Sequence, residues 1–306
     1  MRSGFTRCFA ALLASLFLLG ACSDGSPEPT RAEGPTGTEK ESPASPDDGP
    51  SPSETTEASP SDEPEEPQGE FTYEVWFVVG DKLFLEHRTA PSTQGVAALA
   101  MESLLAGPIG PEAESGDTTA IPEGTSLLGV SIADGVATVD LSDEFDSGGG
   151  SAGMFLRLAQ VVFTLTQFPT VQGAQFRIEG EPVETFSGEG IVLEGPQKRA
   201  DYEDQVPAIV VEEPAIGEEV HGPLVVKGTA NVFEATVSFK VIGEDGETLA
   251  TDFATATCGT GCRGDFEKRL DVEVDRRTTV IVKVFESSAE DGRPTNVVNV
   301  PVILIP

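Results

Sequence analysis

The sequence runs to 306 residues and carries 19 Lys and Arg against 52 Asp and Glu, a formal net charge of −33. That balance argues against a nucleic-acid binder, whose affinity comes from cationic side chains that displace counterions, and against a polybasic grip on anionic lipid. Two His and four Cys leave little material for an imidazole metal centre or a His-dependent triad, while 38% hydrophobic residues suffice for a core if the polar residues are segregated.

Arg2 and Arg7 precede an apolar run over 9–19, which has the length of a signal-peptide h-region and is too short to span a bilayer. The run ends in Leu19-Gly20-Ala21-Cys22, the pattern of a bacterial lipobox, in which the Cys is diacylated and becomes the mature N-terminus. Residues 1–21 therefore read as a lipoprotein signal peptide and Cys22 as the lipidation site. Several acyl chains on one residue anchor stably where a single chain is marginal. The expected place is the extracytoplasmic face of the cell membrane. Residues 22–70 hold ten prolines and fourteen acids against two bases, Arg31 and Lys40. Such a stretch cannot bury enough surface to offset chain entropy, so a disordered tether with a span of about 40 Å is expected.

At Phe71 the texture changes. Residues 71–79 are aromatic and β-branched, Gly80-Asp81 follows, and 82–86 is a second such run, which predicts a hairpin. Ser92 or Thr93 can cap a helix with apolar positions Val96, Leu99, Ala100 and Leu104, stopped by Gly107-Pro108. A Gly/Pro/acid loop leads to strands over 126–132 and 136–141, joined by Ala133-Asp134-Gly135. A second amphipathic helix over 153–168 uses Phe155, Leu158, Ala159, Val162 and Phe163, and a last strand covers 174–178. Hairpins and two helices in this order predict an α+β domain over 71–206, with a mixed, mostly antiparallel sheet. From residue 207 the helical period disappears. Seven strand-like runs separated by turn residues predict an all-β immunoglobulin-like sandwich over 207–306. Neither folded unit is a cationic binder, since their net charges are −15 and −8.

Residues 71–204 resemble a GerMN domain, the module of sporulation and spore-germination proteins. The resemblance rests on the first strand, on Leu104-Leu105-Ala106-Gly107-Pro108, on Ala120-Ile121-Pro122-Glu123-Gly124-Thr125, on Val136-Ala137-Thr138-Val139-Asp140-Leu141-Ser142 and on the second helix. The C-terminal hundred residues resemble the immunoglobulin-like domain of bacterial spore germination proteins through Val226-Lys227-Gly228-Thr229-Ala230, Phe233-Glu234-Ala235-Thr236-Val237 and Ser288-Ala289-Glu290-Asp291-Gly292. The resemblance implies compact units akin to the ring-building motifs of envelope-spanning assemblies, and so a scaffold and not an enzyme. A second implication, from another lipoprotein family with a GerMN module, is an accessory protein that modulates the extracellular sensor domain of a histidine kinase.

Several patterns invite chemistry. Gly148-Gly149-Gly150-Ser151-Ala152-Gly153 fits both a nucleophile elbow and a dinucleotide loop, but six residues separate it from the preceding strand and Asp143, Glu144 and Asp146 stand beside it. A base for Ser151 would have to be His87 or His221. Asp140, Ser142, Glu144 and Asp146 alternate oxygen ligands, yet an EF-hand would need Gly and Glu where Phe145 and Ser151 stand. Cys258 and Cys262 form one close pair with no second pair and no nearby His, so zinc lacks two ligands; export favours a disulfide that closes a Gly-rich turn. Arg263-Gly264-Asp265 spells an adhesion tripeptide, a match short enough to arise by chance. The expectation is a non-enzymatic protein without cofactor or metal, held to the membrane by its lipid and binding a protein partner in the envelope.

Overall fold

The computed structural model describes residues 69–188 and 190–306. The signal peptide, Cys22 and all but the end of the tether lie outside the described residues. No helix among the described residues is long and apolar enough to cross a membrane.

Strands β1 (Glu70–Val79) and β2 (Lys82–Pro91) pair antiparallel from Val79↔Lys82 to Glu70↔Pro91. The two-residue turn puts Gly80 at φ +66°, a value that a Cβ would strain. Because this register runs out to Pro91, Glu70 belongs to β1 and not to the tether expected to include it. Helix α1 (Val96–Leu105) is capped by Gly95 and not by Ser92 or Thr93; the Thr93 hydroxyl instead accepts from the Gly95 N–H at 3.2 Å. The Gly/Pro/acid stretch after it forms a short third helix, α2 (Gly110–Ser115), which was not foreseen. Its Glu112 carboxylate accepts from the Ile109 N–H at 2.8 Å, and Gly116 ends it at φ +101°.

Strands β3 (Leu127–Ala133), β4 (Val136–Leu141), β5 (Gly173–Ile178) and β6 (Glu181–Pro182) form a four-stranded sheet in that order. β4 and β5 run parallel, which demands a crossover, and helix α3 (Ser151–Leu165) supplies it. The domain is thus α+β, with the first hairpin forming its own two-stranded sheet beside the mixed one. Beyond β6 the chain adds a second small hairpin, β7 (Thr185–Phe186) with β8 (Ile191–Val192), in a stretch without strand periodicity. Trp76, Phe77, Leu83, Met101, Leu104, Leu158 and Leu165 are fully buried in the core, where the Trp76 and Phe163 rings lie 4.7 Å apart.

The second domain is a sandwich. Strands β9 (Ile209–Glu213), β11 (Leu224–Ala230) and β14 (Gly264–Leu270) make one sheet. The other holds β10 (Glu219–His221), β12 (Thr236–Ile242), β13 (Thr248–Thr255), β15 (Thr278–Ser287) and β16 (Pro294–Ile305). Alternating residues point inward, as period-2 sheets require: Val237, Phe239 and Val241 from β12 meet Val280, Val282 and Val284 from β15 and Leu224 and Val226 from β11. Phe239 and Phe266 pack edge-on at 5.7 Å across the two sheets. The strand missed from the sequence is β10, three residues lying parallel to the end of β16.

Two arginines fasten the domains together. Arg199, in a 3-10 turn at Arg199–Gln205, donates to the Phe163 carbonyl at 3.2 Å and the Thr166 hydroxyl at 3.0 Å at the end of α3. It also pairs with Glu74 of β1 at 3.5 Å and with Glu212 of β9 at 3.3 Å, and it stacks over Phe163 at 4.9 Å. A cation at the C-terminus of a helix is further favoured by the helix dipole. Arg263 reaches back from the second domain to Glu203 at 2.9 Å and to the Pro207 carbonyl at 2.6 Å. Val210 of β9 packs into the first core.

Candidate functional site

Several residues singled out in the sequence have local partners. Arg157 is 3% exposed and donates to the carbonyls of Ala120, Phe145, Ser147 and Gly148. The glycine run is therefore folded onto the protein's own guanidinium, and a Cβ at Gly149 would come within 3.1 Å of it. His87 lies on β2 and His221 on β10, whereas Ser151 opens α3. Asp140 accepts from the Gly180 N–H at 2.9 Å and Ser142 from the Ser126 N–H at 2.9 Å, so the alternating oxygens are turned to different partners. Among the described residues no group of three or more His, Cys, Asp or Glu is placed to hold a metal ion. A disulfide joins Cys258 and Cys262, with Cα atoms 5.7 Å apart. Its loop lies on the 231–235 turn: the Thr260 N–H donates to the Val232 carbonyl at 2.9 Å, and a Cβ at Gly259 would fall 2.5 Å from the Ala235 backbone. Arg263 is held in the domain seam, which withdraws its guanidinium from any adhesion role.

What stands out instead is the first hairpin. In an antiparallel pair, opposite residues either exchange both backbone hydrogen bonds or none. On β1 the even positions face away from β2. Glu74 exchanges bonds with the Gln167 amide at 2.6 and 2.7 Å, Trp76 with Thr164 Oγ1 at 3.3 Å and Gln160 Nε2 at 2.8 Å, and Val78 with Thr118 at 2.8 Å. The odd positions therefore bond across to Lys82, Phe84, Glu86 and Arg88. It follows that Leu83, Leu85, His87 and Thr89 turn their N–H and C=O groups outward along β2. Among the described residues none of these groups has a backbone partner.

That outer edge borders a groove between the hairpin and the second domain, made of two hollows that share Leu85, His87, Ala215 and Ile216. The larger, of about 770 Å³, is acidic and includes Glu74, Glu86, Glu212, Glu213 and Glu218. The smaller, of about 230 Å³, is apolar and includes Leu83, Phe84, Val211, Ile216, Val297 and Val300.

Comparison with known proteins accounts for both domains. Residues 69–184 match the family described as sporulation and spore germination, called Germane, and residues 208–293 match the immunoglobulin-like domain of bacterial spore germination. The chain joins a Germane domain to a spore-germination immunoglobulin-like domain. Both are families of non-catalytic domains. Among solved structures, the tandem GerMN domains of the sporulation protein GerM from Bacillus subtilis are similar at 17% identity and a TM-score of 0.39, over 77% of this chain. The chain spans 60% of that structure's length. The first GerMN domain of the same protein is similar at 22% identity and a TM-score of 0.35, over 43% of this chain and 99% of that one. No curated protein matches the chain.

The electrostatics of the groove follow from crowding acids beside an apolar wall. Burial first, and then the charges of Asp117 and Glu112, push Glu86 of the Germane domain up to about 7. Asp117 is raised as well, by burial and by the charge of Glu112. Burial raises Glu74 against the opposing pull of Arg199, and it raises Glu212 of the immunoglobulin-like domain together with the charge of Glu74. Burial lowers His87, although Glu218, Glu213 and Glu212 oppose it. The cations at hand are already engaged: Lys227 pairs with Glu213 at 2.8 Å, and Glu74 and Glu212 share Arg199. None of these acids was singled out in the sequence. Only the hairpin register shows which edge is bare.

Proposed function

We propose that this chain is a lipid-anchored extracytoplasmic protein whose two fused domains bind and position a protein partner in the cell envelope, without turning over a substrate. The seam carries this reading. Arg199 ties β1, α3 and β9 together and Arg263 ties Glu203 to Pro207, so the groove between the domains is held open at a fixed geometry. A binding surface gains from such preorganisation, because less ordering entropy is lost when a partner docks. The lipobox ending at Cys22 and the acidic tether supply anchor and reach, and the Cys258–Cys262 bridge suits an oxidising compartment. Both matched families are described by spore germination, which supports a non-enzymatic, sporulation-associated role.

Cys22→Ala in the full chain is expected to give unprocessed precursor or protein released into the medium. Retention in carbonate-washed membranes with the signal removed would overturn the anchor. A photo-reactive residue at Ile216, which is 66% exposed, is expected to give one recurrent polypeptide adduct in the native envelope, and its absence from every position tried around the two domains would overturn the partner-binding role.

A further inference from the structure

We infer that the outer edge of β2 is a docking rail for an extended segment of a partner protein, apolar at one end and cationic at the other, which adds to the hairpin as a third strand. This rests on the partner-binding role proposed above and names its surface.

The first observation is the set of unpaired groups. Leu85, His87 and Thr89 present alternate N–H and C=O groups along an edge about 13 Å long, at roughly 3.3 Å per residue, and the fully buried Leu83 closes its apolar end. A strand added there gains main-chain hydrogen bonds, and neighbouring hollows take its alternate side chains. The second observation is that the opposite edge is covered. Side chains of α3 and the Thr118 backbone occupy the positions a neighbour of β1 would need, so strand addition is confined to β2.

The third observation selects the occupant. The apolar hollow adjoins Leu83 and Phe84, and the acidic hollow adjoins Glu86, His87 and Thr89. A fitting segment therefore sets Val, Ile or Leu at the Leu83 end and Lys or Arg at the Thr89 end. Charge argues against the two occupants this protein could itself supply. A second copy pairing β2 with β2 would set these acids against their own kind, and the 22–70 stretch brings fourteen acids and two bases. A foreign basic segment sets opposite charge against Glu74, Glu86, Glu212, Glu213 and Glu218 instead.

The test uses the mature chain and a capped octapeptide, Val-Thr-Val-Thr-Lys-Val-Lys-Val, followed by amide hydrogen exchange. At saturating peptide the Leu85, His87 and Thr89 amides are expected to slow at least tenfold, while Phe84 and Glu86, already bonded to β1, do not change. Replacing both Lys by Glu is expected to weaken binding at least tenfold. Of two versions N-methylated along opposite edges, one should bind and the other should not. Ile216→Lys, an exposed change outside both cores, is expected to weaken the parent peptide. Absence of protection at millimolar peptide, equal binding of the Glu peptide or of both N-methylated versions, or protection at another strand would each overturn the rail. So would slowed β2 exchange in a peptide-free dimer, which would make a second copy the occupant. Envelope adducts from Ile216 without peptide protection at β2 would remove the rail and leave the binding role standing.

Discussion

The two edges of the first hairpin belong to the same pair of strands and meet opposite fates. Along β1, the polar groups of Gln160, Thr164 and Gln167 bond backbone atoms that would otherwise seek a neighbouring strand. Along β2, Leu85, His87 and Thr89 turn outward into a groove with no such cover. An uncovered edge invites pairing with another chain, and proteins blunt edges that are not meant to pair. Here one edge is sealed by a helix whose polar side chains would be costly to bury for any other purpose, and the other is left open between an acidic wall and an apolar one. The contrast shows that sealing is specific to β1, and it makes β2 the edge available for work.

Breaking the seal should have the largest effect. Gln160 is fully buried, accepts from the Ala120 N–H at 2.8 Å and donates to the Trp76 carbonyl at 2.8 Å. Gln160→Leu strands both groups, at about 1–3 kcal/mol for each buried group left without a partner, so a loss of roughly 2–6 kcal/mol is expected in urea unfolding. An unchanged midpoint would mean that the β1 edge needs no cover. A proline comparison sharpens the asymmetry at intermediate cost. The Phe84 N–H points to β1 and that of Thr89 points outward, so Phe84→Pro should cost roughly 2–3 kcal/mol beyond Phe84→Ala, and Thr89→Pro less than about 1 kcal/mol beyond Thr89→Ala. Equal costs would show that the assigned edge is wrong.

The smallest effect concerns pH. Glu86 titrates at about 7 in the fold and near 4.5 when unfolded, so between these values the folded state holds the extra proton. Stability should therefore fall as pH rises from 4.5 through 7, and Glu86→Gln should flatten that slope. After discounting for solvent screening the difference is on the order of 1 kcal/mol. A steeper slope in the Gln variant would contradict the crowding of Glu86 with Asp117.

Periodicity and turn chemistry made much of this fold legible. Val136–Leu141 alternates cleanly, Gly80-Asp81 marks a two-residue turn, and the inward valines of β12 and β15 follow from period-2 spacing. The same reading failed on α3. Its spacing put Phe155 on the apolar face and passed over Gln160, whereas Phe155 is 38% exposed and Gln160 is fully buried. A polar residue on a helix reads as solvated unless one knows that a strand edge lies against it. Short pieces were missed for a related reason: β10 and α2 are too brief to show a period and exist because β16 and the Ile109 backbone offer them partners.

The sequence by itself determined the acidic balance, the export signal pattern, the change of texture at Phe71, the α+β unit followed by a sandwich, and the proximity of Cys258 to Cys262. All of these are set by composition or by residues close along the chain. Tertiary structure alone decided that Arg199 and Arg263 fasten the domains, that Arg157 fills the glycine loop, and that one hairpin edge is sealed while the other faces five carboxylates. The physical reason is that burial and hydrogen-bond satisfaction depend on partners from 12 to about 90 residues away, and a charge or an amide carries no local mark of the group it will meet.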